Sequence, residues 1–131
     1  MSFVSRIIGF LLIALVVVHD VSGVHTGDMF YFTPGLGACG FRNTGSQHVV
    51  SVSTEFFHSF PGATPDDNKY GPNPICQHYM TISSNGTSVL AQIVDYCEQC
   101  ELYSIGVPKA VFQLFANLGV GVVHDVKWVV E

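Results

Sequence analysis

Ile93-Val94-Asp95-Tyr96-Cys97-Glu98-Gln99-Cys100 is the stretch on which the reading of this chain turns. An apolar, β-prone run ends in one carboxylate, and a CxxC pair follows at once. Upstream, His78 to Ser83 and Thr87 to Tyr96 flank Ser84-Asn85-Gly86. Asn-Gly tolerates the positive φ angles of a type I′ turn, so the two runs form a hairpin. Asn85-Gly86-Thr87 is also an N-glycosylation sequon, and a hairpin tip leaves it accessible. If the second strand is regular, Asp95 shares a face with Val89, Ala91 and Ile93. A carboxylate closing an apolar face is partly desolvated, which raises its pKa toward an acid's role. The plainer alternative is a strand-end aspartate that caps the next turn.

The CxxC pair has three readings. Zinc wants two such pairs, or one pair with suitably spaced histidines. Here Cys39 and Cys76 stand alone, and the six histidines show no metal spacing. A thioredoxin-like motif opens a helix after a strand; here a loop follows. An even count of four cysteines behind a signal peptide argues for two disulfides. That signal is read in residues 1–23. Met1 to Arg6 carries one positive charge, Ile7 to Val18 is apolar with one glycine, and Val21-Ser22-Gly23 offers a cleavage site. The apolar run is too short to cross a bilayer, which takes ~20 residues. The expectation is a secreted domain, 24–131, in an extracellular or cell-wall setting.

Five Lys and Arg against ten Asp and Glu give a net charge of −5. Cleavage removes Arg6 and Asp20 together, so the balance stays. No basic stripe is present, so neither a nucleic-acid partner nor polybasic membrane binding is expected. No cofactor or metal is expected, and the chain is read as a monomer.

The rest of the chain reads as short strands between turns. Met29 to Thr33 is ended by Pro34-Gly35-Leu36-Gly37. His48 to Ser53 is rich in valine, and Phe56 to Gly62 ends in Pro-Gly. Ala63 to Pro74 is a polar, proline-rich loop, long enough to line a site. One helix is expected after Pro108, with Val111, Phe115 and Leu118 on one face and Gly119 at its end. In the last strand Val122, His124, Val126, Trp128 and Val130 share a face, which makes Trp128 a core residue. This order suggests a closed β-barrel or a compact α+β domain.

Several blocks in order carry a resemblance. Phe30-Tyr31-Phe32-Thr33-Pro34-Gly35-Leu36-Gly37-Ala38-Cys39-Gly40, Val50 to Ser53 with Ser59 to Gly62, Asn73-Pro74-Ile75-Cys76, Ile93 to Cys100, Pro108 to Phe112 and Val126-Lys127-Trp128 resemble small fungal expansin-like proteins. These belong with the rare-lipoprotein-A-like and barwin-like barrels. The resemblance covers nearly all of 24–131. It implies a mainly β fold, a six-stranded double-psi β-barrel with one or two short helices and a groove across one side. It implies pairing of Cys39 with Cys76, which leaves Cys97 to close on Cys100. For function it implies binding or loosening of a wall polysaccharide such as cellulose or chitin.

Hydrolysis of a glycoside commonly needs two carboxyl groups. By the resemblance Asp95 stands where catalytic relatives hold one aspartate, and Gly106 stands where expansins hold the second. Glu98 and Glu101 lie on the disulfide side of the groove. The chain is therefore expected not to be a hydrolase, and Asp95 remains its one candidate acid. Tyr31, Thr33, Asp95 and Tyr96 are the candidate ligand-binding residues, with Tyr79 and Tyr103 as further groove candidates. An aromatic ring covers a sugar's C–H face while a polar neighbour orients hydroxyls. Phe30 and Phe32 are read as core. Replacing Tyr31 and Asp95 together is expected to abolish glycan retention at little thermal cost. The second functional class is a secreted effector or protease-inhibitor-like protein that binds a host or other extracellular protein.

Overall fold

A computed structural model describes residues 23–64 and 73–131. The expected signal segment up to residue 22, and residues 65–72 of the proline-rich loop, lie outside the described residues.

Six strands close into a barrel: β1 His25–Tyr31, β2 Val49–Ser53, β3 Tyr79–Ser84, β4 Thr87–Cys97, β5 Ile105–Val107 and β6 Val122–Val130. Their order around the barrel is β1-β5-β2-β4-β3-β6. Two pairs are parallel, β1 with β5 and β2 with β4; the rest are antiparallel. Parallel neighbours need long connections, so β1–β5 and β2–β4 join segments distant in sequence, whereas β3 and β4 are a hairpin. This is the expected mainly β, six-stranded double-psi barrel with two short helices, α1 Thr54–Ser59 and α2 Lys109–Phe112.

The barrel is filled by Met29, Val50, Val52, Met80, Ile82, Ala91, Ile93, Ile105, Val107 and Trp128, all buried. Trp128 is in the core as expected, and its indole N–H donates to the Tyr103 carbonyl at 2.9 Å. The hairpin tip also follows its sequence signal, with φ of 48° at Asn85 and 81° at Gly86. The disulfides are Cys39–Cys76 and Cys97–Cys100.

Four expectations need correction. Residues 56–62 do not simply run to a turn: Ser53 caps α1 by accepting from the Phe56 N–H at 3.0 Å, and α1 buries Phe56 and Phe57. The helix after Pro108 stops at Phe112, and the positive φ that follows falls at Gly121 (78°), not Gly119. The alternation of β6 fails at Asp125, which adopts φ 58°, so Val122 and His124 face solvent while Val126 and Trp128 face inward. In β1 the phase is the reverse of that expected for the phenylalanines. Met29 is fully buried and Tyr31 packs on core residue Phe112, while Phe30 and Phe32 lie half-buried over Gly106.

Candidate functional site

Along β4 the residues Val89, Ala91 and Ile93 point into the barrel. Regular alternation would send Asp95 inward after them. The register shifts instead: Val50 pairs with Ile93, but Ser51 pairs with Asp95, so Val94 is an extra residue. A β-bulge of this kind re-aims the next side chain. Asp95 is thereby placed beside Ser51 on the outer face, half-exposed rather than closing the apolar face.

The same register continues across the barrel. Ser51 pairs with Gly106, and Gly106 pairs with Phe30. Residues opposite one another in a ladder share a face. Asp95, Ser51, Gly106 and Phe30 therefore form one lateral row over β4, β2, β5 and β1. Phe30 in turn pairs with Val122 of β6, which is 36% exposed. The row has a carboxylate at one end and apolar side chains at the other, with a small, buried floor between.

Asp95 is held by the loop above it. Its Oδ1 accepts from the Ala38 N–H at 3.0 Å and from the Tyr96 N–H at 2.8 Å. Gly37 lies so close that a Cβ there would stand 2.6 Å from the Val94 carbonyl and 3.1 Å from the Asp95 Cβ. Only glycine lets the loop rest on the carboxylate in this way. The disulfide from neighbouring Cys39 to Cys76 ties the same loop down. Leu36, Gly37, Ala38, Asp95, Tyr96 and Glu98 line an open depression of about 440 Å³. Leu36 (64%) and Phe41 (43%) stay exposed on that loop.

Two strands across from Asp95, little room is left at Gly106. A Cβ on Gly106 would come within 2.9 Å of the Phe30 ring and 3.3 Å of the Phe32 ring. Glu98 is on Asp95's own side of the groove. Glu101 lines a different cleft, with Thr26, Asp28 and Tyr103. Among the described residues no three His, Cys, Asp or Glu side chains are grouped to hold a metal ion.

The other sequence candidates divide. Tyr96 lines the depression and packs its ring on Phe57 and His58, each at 5.0 Å. Thr33 is exposed just beyond Phe32. Tyr31 points away from the row: its hydroxyl donates to the Leu118 carbonyl at 3.1 Å, and its ring meets Phe112 edge-on at 4.9 Å. Tyr103 stacks on His25 at 4.6 Å, outside the groove. Tyr79 stands on β3 opposite Gln92 and is not part of the depression. Phe30 and Phe32, which the sequence reading put in the core, border the row instead. Gly106 was the available signal, because a glycine on a barrel wall leaves room for a neighbour's ring.

No protein-family profile matches the chain, and no curated protein matches it. Solved structures do. A Streptomyces papain inhibitor superposes with a TM-score of 0.72 at 28% identity, covering 86% of this chain and 98% of that one. The Clavibacter michiganensis expansin, in a variant form complexed with cellohexaose, gives 0.64 at 16% identity over 83% of this chain and 50% of that one. Its apo form gives 0.64 at 14% identity. The chain spans about half the length of the expansin. With its closed order of six strands and its two parallel pairs, the chain is a double-psi β-barrel, the architecture it shares with the papain inhibitor and the expansin.

Proposed function

We propose that this is a secreted, non-hydrolytic binding protein of the expansin or loosenin kind, which holds a wall polysaccharide along the row from Asp95 to Phe30. The observation that carries the reading is the Phe30 ring over Gly106. It removes the site for a second acid and puts an aromatic surface in its place. One carboxylate cannot serve both sides of a glycosidic bond. It does suit the orienting of hydroxyls, while rings and Val122 cover C–H faces. The expansin neighbour's cellohexaose complex supports a carbohydrate ligand in general terms. Two disulfides fit an oxidising, extracellular setting.

A second reading rests on a different observation. The papain inhibitor matches over nearly its whole length, and the loop above Asp95 exposes Leu36 and Phe41 on a disulfide-fixed frame. A rigid loop with apolar tips suits docking to a protein surface. The loop and the row are separable by mutation. Retention on cellulose, chitin and crude cell wall is measured beside inhibition of a papain-type protease. Loss of retention in Phe30→Ser, with retention intact in Leu36→Ser/Phe41→Ser, supports the polysaccharide reading. Protease inhibition that depends on Leu36 and Phe41, with no retention by any glycan, replaces it with the second. Reducing-sugar release that vanishes in Asp95→Asn overturns the non-hydrolytic assignment.

A further inference from the structure

The sequon Asn85-Gly86-Thr87 is used by neither reading of the groove. Asn85 and Gly86 form the tip of the β3–β4 hairpin, just beyond the last pair, Ser84 and Thr87, and Thr87 is the first residue of β4. Asn85 and Gly86 are both exposed and both have positive φ, so the turn projects clear of the barrel wall. An open cleft of about 420 Å³ runs beside the tip, lined by Ser83, Ser84, His124, Asp125 and Lys127 together with the turn itself. Its far wall is the irregular stretch of β6, where Asp125 leaves the strand conformation. Hydroxyls, an imidazole, a carboxylate and an ammonium thus belong to the residues that line the cleft beside the asparagine. Such groups match the hydroxyl and acetamido groups of a sugar.

We propose that Asn85 carries an N-linked glycan whose first sugars lie along this cleft, and that the glycan reserves the hairpin end of the barrel. The inference rests on the reading of residues 1–23 as a secretory signal. The donor would be a lipid-linked oligosaccharide diphosphate. The Asn85 amide nitrogen forms a bond to the anomeric carbon and loses one proton, the bond from that carbon to the diphosphate breaks, and the lipid diphosphate leaves. Thr87 supplies the hydroxyl that the sequon requires.

The placement has a consequence for binding. Asn85 and Asp95 stand at opposite ends of β4, and the eight steps from Thr87 to Asp95 span about 26 Å of strand. A glycan at the tip leaves the groove open and covers the other end. A polymer or a protein partner must then approach from the side of the Gly37 loop.

The test uses the full chain secreted from a yeast host, beside a version behind a leader supplied by that host. Intact mass is measured before and after treatment with peptide N-glycosidase in heavy-oxygen water. The expected result is a fall in mass, with Asn85 converted to an aspartate that carries the heavy label. Asn85→Asp and Thr87→Ala should both lack the glycan, and Thr87→Ser should keep it. Thr87→Ala leaves the Asn-Gly turn in place, so its loss of glycan cannot be ascribed to misfolding at the tip. Glycan retention by the groove should be the same with and without the modification. Secreted chain with unmodified Asn85 behind both leaders overturns the proposal. Modification behind the host leader alone supports the site and sinks only the reading of the signal. Ligand retention that rises severalfold on deglycosylation overturns the claim that the groove end is left free.

Discussion

The Phe30 ring lies where a side chain on Gly106 would point: an added Cβ would stand 2.9 Å from the Phe30 Cε2. An aspartate therefore cannot simply be placed at position 106. Gly106→Asp should destabilise the barrel by about 1–3 kcal/mol through overpacking. Phe30→Thr/Gly106→Asp should recover part of that loss, because the ring that clashes is gone. A double-mutant cycle in denaturant should give a coupling of at least ~0.5 kcal/mol. Additive costs would show that the ring does not occupy the space of a side chain at position 106.

Asp95 is tied to the loop that covers it, so its loss should not be thermally silent. Asp95→Ala removes the acceptor for the Ala38 and Tyr96 N–H groups. A cost of about 1–2 kcal/mol is expected, since both donors retain some access to water. Tyr31→Phe should cost about 1 kcal/mol more through the lost bond to Leu118. This departs from the sequence-based expectation that the two residues could be replaced at little thermal cost. Thermal melting of the two single variants and the pair decides it; an unchanged midpoint would mean the loop is held by Cys39–Cys76 alone.

The two disulfides should differ in weight. Cys39–Cys76 spans 37 residues and Cys97–Cys100 spans 3. The chain-entropy account gives about 4 kcal/mol for the longer loop and about 2 for the shorter. Cys39→Ala/Cys76→Ala also frees the loop that rests on Asp95, so it should lower ligand retention as well as the melting temperature. Cys97→Ala/Cys100→Ala should leave retention nearly intact. Equal losses from the two pairs would count against the loop's role in binding.

His124 and Asp28 join β6 to β1 on the surface, with Nδ1 2.8 Å from Oδ1. The hydrogen bond to Asp28, and then its charge, raise the His124 pKa above the ordinary 6.5. A raised value means the proton is held more tightly in the folded state. The stabilisation is therefore fully present below the unfolded pKa and is lost as pH rises through the folded one. Both side chains are well exposed, so the effect on stability should be small and should fade with salt. An NMR titration should find the His124 midpoint moving down toward 6.5 in Asp28→Asn. No movement would mean that the pair is not formed in solution.

Much of this fold was legible because its signals are local. The Asn85-Gly86 turn requires positive φ at two adjacent residues, and the sequence supplies residues that tolerate it. Alternation in β4 identified Val89, Ala91 and Ile93 as inward, and β6 placed Trp128 in the core. The resemblance carried by the blocks around Cys39, Cys76 and Cys97 led to the barrel and to the disulfide pairing found.

The composition of the groove belongs to the tertiary structure. Met29, Phe30, Tyr31 and Phe32 are all apolar or aromatic, and polar Thr26 and Asp28 adjoin a register shift between Gly27 and Met29, so this run by itself does not say which pair faces inward. Pairing with β5 decided it, by laying Phe30 on Gly106 rather than in the core. The outward turn of Asp95 came from an extra residue at Val94, visible only against the register of β2. Asp95, Ser51, Gly106 and Phe30 lie in one row although 76 positions separate Phe30 from Gly106. Their types were written in the sequence. Their adjacency depends on strand pairing between distant segments, which closes only when the whole barrel packs.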